Sequence, residues 1–364
     1  MRWDGDYAGY TDEELEELLE PATVAPMPHQ QFDTIVLMLL EAGVVDDEDT
    51  PHLDWDNLPD MPEDMSDRDC AQLLAFEAYE ICFEAPDEAL ELADEALEID
   101  EFCIDARAAR WFAFDIEDEE ALTAAGVAAV LGHEMILNSG EFREYDDVWM
   151  YPRMRGAVRG YAELALTNWA HGNRKKAIEA ARETLSMAPD DPLRMAPHLA
   201  NWCLTLGYPD RARRVFRDFG RREIAPVAYA EALMEFIKEG PGLKAKSKLL
   251  KATRSHPLIM AYLGAELSGI MDRPASEYPA HVYIKGTFEE LIVWYNRIVE
   301  AWEATDGALE WAAQCFHEPR FAREVEPAIA ELIVEAEEAG LVLPDIEDER
   351  RDDEDDGGPE LRLL

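Results

Sequence analysis

Lysine is scarce in this chain: 364 residues hold eight, against 25 arginines. Acid is abundant. Eighty Asp and Glu face 33 Lys and Arg, a formal net charge of −47 at pH 7. Nucleic acid and anionic membrane are poor partners for such a surface. The carboxylates are spread over nearly every segment, whereas a dedicated binding tail would concentrate them. That spread matches the surfaces of proteins from salt-loving organisms, where concentrated salt screens self-repulsion. The alternative is an acidic surface built to hold basic partners. Cysteine is sparse too. Cys70, Cys82, Cys103, Cys203 and Cys315 are odd in number and none forms a C-x-x-C pair. A disulfide framework or a zinc site is therefore not expected, and most of these thiols lie among apolar neighbours as core residues do. Long apolar runs are missing: the longest, Ile35 to Leu40, is too short to span a bilayer. No basic stretch followed by an apolar block opens the chain, so no signal peptide is read and a cytoplasmic location is expected.

Catalytic signatures are also lacking. There is no G-x-x-x-x-G-K-[ST], no G-x-G-x-x-G and no G-x-S-x-G. His133-Glu134 has no second histidine one turn later, so the zinc-protease pattern fails. The eight histidines are scattered, and carboxylate pairs carry no information among 80 acids. No catalytic residue, metal or cofactor is expected.

What is present is helical grammar. Apolar residues make up 48% of the chain, enough for a sizeable core. Strand signals are few, with no Asn-Gly or Asp-Gly hairpin between alternating runs. Ala- and Leu-rich segments instead recur at helical spacing. Tyr161, Leu164 and Ala165 form one stripe. His171, Gly172 and Asn173 break it. Ala177, Ala181 and Thr184 form the next stripe, which ends at Pro189. The pattern repeats around Gly207, and again around Gly240, with Pro257 as the stop. An alanine falls five residues after each glycine: Ala177, Ala212 and Ala245. The glycines lie 35 and 33 residues apart, close to the roughly 34-residue period of tetratricopeptide repeats. Small residues at helix crossings let backbones approach closely. Two more degenerate units lie upstream, on Ala89, Ala93 and Ala96 and on Ala121, Ala125 and Ala128, with an insertion expected at about Gly132 to Arg155.

At these residues the chain resembles the tetratricopeptide repeat superfamily. The segment MYPRMRGAVRGYAELALTNWAHGNRKKAIEAARETLSMAPDDP is also similar to a microbial group of repeat proteins likened to the suppressor-of-tumorigenicity-7 protein. The likeness spans about Cys70 to Ala312. It departs from the repeat consensus where the first-helix aromatic is Leu73, Asp105 or Ala196. The resemblance implies an all-α right-handed superhelix of helix pairs with helical flanking caps, acting as a scaffold and bringing no catalytic residues.

The resulting organisation is an acidic N-terminal region (1–66) with helices at Thr11 to Leu19 and Gln30 to Glu41. A repeat array (67–260) follows. A C-terminal helical cap (261–344) would bury Trp294, Ile298, Trp302 and Trp311. A charged tail (345–364) is expected to be disordered. The expected function is non-catalytic: a scaffold holding a peptide or protein segment in the concave groove. By helical register that wall would present Arg107, Arg110, Arg159, Trp169, Arg194, Asn201 and Met234. Arginine can clamp a carboxylate and an aromatic can anchor a side chain. The alternative is a regulatory or accessory subunit that binds an acidic partner through a basic patch. Residues 205–256 hold twelve Lys and Arg against six Asp and Glu, with Arg211, Arg214, Lys244, Lys248 and Lys251 at the centre of the patch.

Overall fold

The computed structural model describes residues 26–46, 50–53, 58–62, 64–82, 85–139, 147–219, 224–268 and 287–338, and within these the backbone is helix and turn with no strand. The expected helix at Thr11 to Leu19 and the charged tail lie outside the described residues. Fifteen α-helices follow in order. The first half runs α1 (Pro26–Glu41), α2 (Asp67–Ile81), α3 (Pro86–Ile99), α4 (Ile104–Ala109), α5 (Glu119–Ser139), α6 (Arg155–Ala170) and α7 (Arg174–Met187). The second runs α8 (Met195–Thr205), α9 (Pro209–Asp218), α10 (Ala225–Glu239), α11 (Leu243–Ser255), α12 (Pro257–Ala265), α13 (Phe288–Glu303), α14 (Ala308–Phe316) and α15 (Pro319–Glu338). A 3-10 turn, Arg110–Ala113, continues α4.

Neighbours in sequence pack as pairs: α2 on α3, α6 on α7, α8 on α9 and α10 on α11. The turns inside the last three pairs are the three spaced glycines. Gly172, Gly207 and Gly240 adopt φ of 73°, 76° and 73°, a region where a β-carbon is unfavourable and glycine is the default. Five residues on, Ala177, Ala212 and Ala245 are fully buried in the same core cluster. The helix before Pro257 stops as expected, and the same proline has a second role. α11 ends at Ser255 and Pro257 opens α12, where its missing N–H and fixed φ suit the first helical position.

The boundary expected at Gly132 is corrected. α5 continues through it to Ser139, and 3-10 turns at Val148–Met150 and Pro152–Met154 lead into α6. Gly132 is a point of close approach, not a breaker. A β-carbon there would lie 2.5 Å from the Ala157 β-carbon, and one on Gly160 would lie 2.8 Å from the Ala129 backbone nitrogen. Glu119–Asn138 is the one described helix long and apolar enough to cross a membrane, with 28% of that window buried. It is not an unbroken apolar run, because Thr123, His133 and Glu134 interrupt it. Ala121, Ala125, Ala128 and Ala129 are buried in the bundle.

The C-terminal helices are joined to the pairs. α13 lies against both α8 and α10, and α12 packs on α14 and α15. Trp294, Ile298, Trp302 and Trp311 are all buried, as expected. Trp311 stacks between Trp302 at 5.9 Å and Phe236 of α10 at 4.7 Å. Each buried side chain of this size contributes about 2–3 kcal/mol of transfer free energy, so α13 and α14 are part of the core.

Candidate protein-binding surface

The seven side chains expected on one wall fall into two sets. Arg159, Trp169, Asn201 and Met234 are buried, while Arg107, Arg110 and Arg194 are partly exposed.

Arg159 belongs to a buried polar cluster. Its guanidinium pairs with Asp105 of α4, whose second oxygen accepts a 2.9 Å hydrogen bond from Gln72 Nε2. The rings of Tyr79 and Trp149 lie 5.3 and 5.9 Å from the guanidinium carbon. Glu163, one turn along α6, is also buried. Burial pushes its carboxyl well above the usual range, the Asp105 charge adds to the rise, and Arg159 opposes it. Burial thus favours a protonated Glu163 beside the Arg159–Asp105 pair. Asp105, one of the departures from the repeat consensus, is the residue that draws Arg159 inward.

Trp169, Asn201 and Met234 lie where α13 meets the pairs. Trp169 Nε1 donates to Glu300 of α13 at 2.9 Å. Arg174 stacks 3.8 Å over the same indole and pairs with Glu300 at 3.4 Å. Trp169 stacks on Trp202 at 4.7 Å. His198 of α8 is enclosed by Trp202 and by Trp294 of α13, with ring centroids 5.9 and 5.0 Å away. Burial holds its pKa well below the ordinary histidine value, and the Arg297 charge adds to this. At the other end of α13, Glu290 accepts from the Ala225 backbone N–H at 3.4 Å. Asn201 turns its amide back on its own helix, donating to the Pro197 carbonyl at 2.9 Å. The wall of α8 and α10 thus holds a helix from the same chain, and Trp169 at the end of α6 joins it through Glu300, 131 positions away in sequence.

Arg194 adopts a left-handed conformation, φ 54°, as does Asp191 at φ 52°. The Asp191 carboxylate accepts from the Met195 and Ala196 N–H groups at 2.6 and 3.1 Å and so caps α8. Arg194 therefore belongs to a built turn.

Arg107 and Arg110 line a cleft of about 280 Å³ with Phe114, Glu120, Thr123 and Val127. Arg107 donates from Nη2 to the Glu101 carbonyl at 2.5 Å, and Arg110 pairs with Asp94 at 3.1 Å. Both guanidiniums are held by the edge of the molecule and stay partly open to solvent.

Much of the basic patch is neutralised by acids, some from outside the basic stretch. Lys248 pairs with Glu235 at 2.9 Å, Lys244 with Glu239 at 3.1 Å, Lys246 with Glu318, and Arg254 with Glu324 at 2.8 Å. Glu318 precedes α15 and Glu324 lies on it, so a count over 205–256 misses both. Arg211 covers the exposed Tyr208 ring at 4.7 Å, and Arg214 turns Nε towards the Asp210 carbonyl at 3.4 Å. Lys251 is exposed. Arg221 and Arg222 lie outside the described residues.

Cys82, Cys103, Cys203 and Cys315 are buried free thiols and Cys70 is half-buried. Burial raises Cys82 and Cys103 to about 12, which leaves them as core residues and not nucleophiles. Among the described residues, no group of three or more His, Cys, Asp and Glu could hold a metal ion. No family model, no curated protein and no solved structure matches this chain.

Proposed function

We propose that this chain is a non-catalytic protein–protein interaction scaffold, a right-handed superhelix of tetratricopeptide-like helix pairs that holds a segment of a partner protein in the cytoplasm. One observation carries the reading. The wall of α8 and α10, with Trp169 at the end of α6, already accommodates a helix, α13 of the same chain, through the Trp169–Trp202 stack and the carboxylates Glu290 and Glu300. A surface of that shape and chemistry recognises polypeptide. Support for the repeat comes from the glycine turns, the alanines five residues on, and the pairwise packing.

The occupied wall moves the proposed place of partner binding to the cleft lined by Arg107 and Arg110. Affinity capture from source-cell lysate at native salt tests this, comparing wild type with R107A/R110A of verified helicity. A protein recovered by wild type and lost in the variant is the expected result. Equal recovery by both removes the cleft from the reading. A second reading, an accessory subunit that binds an acidic partner, draws on the outer face of α9. Arg211, Arg213, Arg214 and Arg217 are all exposed there. Loss of capture in R211A/R214A, with R107A/R110A unaffected, would favour it.

A further inference from the structure

α5 turns outward an apolar stripe that α3 and α7 do not. The exposed side chains of α3 include Asp87, Glu88, Glu91, Glu95 and Glu98. Those of α7 include Lys175, Lys176, Glu179, Arg182 and Glu183. On α5 the outward positions are Thr123, Val127, Val130, Glu134 and Leu137, spaced by four, three, four and three residues and so on one face of the helix. Val127, Val130 and Leu137 are 38%, 56% and 68% exposed. The inner face is fully used, since Ala121, Ala125, Ala128 and Ala129 are buried. The apolar stripe is therefore a second surface, with no role in holding α5 in place.

The only Lys, Arg, Asp or Glu charges of α5 are acidic, Glu119 and Glu120 in its first turn and Glu134 between Val130 and Leu137, and all three are exposed. We propose that this face docks a basic amphipathic helix of a partner protein, with an apolar stripe meeting Val127, Val130 and Leu137 and Lys or Arg flanks meeting the carboxylates. Thr123 to Leu137 spans about 21 Å of helix, so the docking segment is about four turns long. Charge selects this occupant over the others. A second copy would set acid against acid, since α5 carries no cation and the adjoining Arg110 and Arg107 are already engaged by Asp94 and by the Glu101 carbonyl, and an anionic lipid surface would be repelled by the carboxylates. Val127 also lines the arginine cleft, so the stripe continues into the candidate site. The inference rests on the scaffold reading and names its partner class.

The test uses the full chain and a labelled synthetic peptide about four turns long, with leucines on one helical face and lysines elsewhere. Fluorescence anisotropy at physiological salt is expected to show saturable binding that weakens as salt rises. Val130→Ser with Leu137→Ser should weaken it roughly tenfold or more, since each apolar side chain removed carries at least about 1.4 kcal/mol. Glu134→Lys, a second variant at an exposed position, should weaken it also. Circular dichroism melting confirms that each variant keeps its fold.

Equal affinity in wild type and the serine variant would overturn the proposal. Equal binding of a peptide with its leucines replaced by serine would do so too, because attraction would then be charge alone. A dimer seen by light scattering and lost in the serine variant would assign the face to a second copy. Sedimentation of wild type, but not the variant, with phosphatidylcholine–phosphatidylglycerol vesicles would assign it to a membrane. Any of these results, with cleft-dependent capture intact, sinks this inference and leaves the scaffold standing.

Discussion

α5 and α9 do the same work inward and opposite work outward. Both have buried faces built on small residues, Ala121, Ala125 and Ala128 in one and Ala212 in the other. Outward, α9 shows Arg211, Arg213, Arg214 and Arg217, and α5 shows Val127, Val130 and Leu137. Solvation explains the arginines without any partner: long charged side chains keep a helix face in water. It does not explain three exposed aliphatic side chains in register, because water gains nothing from them and a partner does. The inner faces follow from the packing of the array, and the outer faces are where the two helices acquire different uses.

The inner faces should prove alike when broken. Gly160→Leu would place a side chain against the α5 backbone at Ala128 and Ala129, where neither helix can yield. We expect a loss of about 3 kcal/mol or more, read as the midpoint of urea unfolding. Ala212→Leu in α9 should cost about 2 kcal/mol by the same route. A near-neutral result for either would mean that the helices are not held at the distance described.

Acid should act next, at the wall that holds α13. The His198 pKa is held below its ordinary value in the folded chain, so the unfolded chain takes up the proton first as pH falls. Stability contributed by the neutral imidazole is complete above the ordinary histidine value of 6.5 and is lost as pH drops below it. The slope should be about 1.4 kcal/mol per pH unit for one proton. His198→Gln should flatten that arm of the profile between pH 6.5 and 5, and an unchanged slope would acquit this residue. Trp169→Phe keeps the stack on Trp202 and removes the hydrogen bond to Glu300. A loss of about 1 kcal/mol is expected in thermal melts.

The outer faces should show the smallest effect on stability and the clearest difference in behaviour. Val130→Ser and Arg213→Ser should each change unfolding free energy by less than about 0.5 kcal/mol. Only the first should lower binding of an apolar fluorescent dye. Equal dye signals from both variants would erase the contrast between the helices.

The paired helices were legible in the sequence because a turn glycine and a buried alanine five residues later are local signals. The α13 contact was not, because it depends on residues far apart in the chain, such as Trp169 and Glu300. Gly132 misled for a related reason. It stood as the approximate start of an insertion, and its role as a point of close approach shows only once the partner helix, here at Ala157, is known. Arg159 looked like a groove residue by register, yet a signal for its burial existed. Asp105 stands where the repeat favours an aromatic, and a buried acid calls for a cation one pair further along. The outer stripe of α5 was readable as spacing alone. Its meaning required knowing that the opposite face was already filled by alanine.

The self-occupied wall also sets an order in time. During synthesis Trp169 at the end of α6, and then the residues of α8, emerge well before those of α13. With 131 residues between Trp169 and Glu300, that delay is on the order of ten seconds at ribosomal rates. Through that interval Trp169, Trp202 and His198 have no α13 to cover them, and a nascent chain with exposed indoles is open to other helices. Closure by its own later helix ends this period of promiscuity, so the finished protein offers partners only the surfaces that its last helices leave bare.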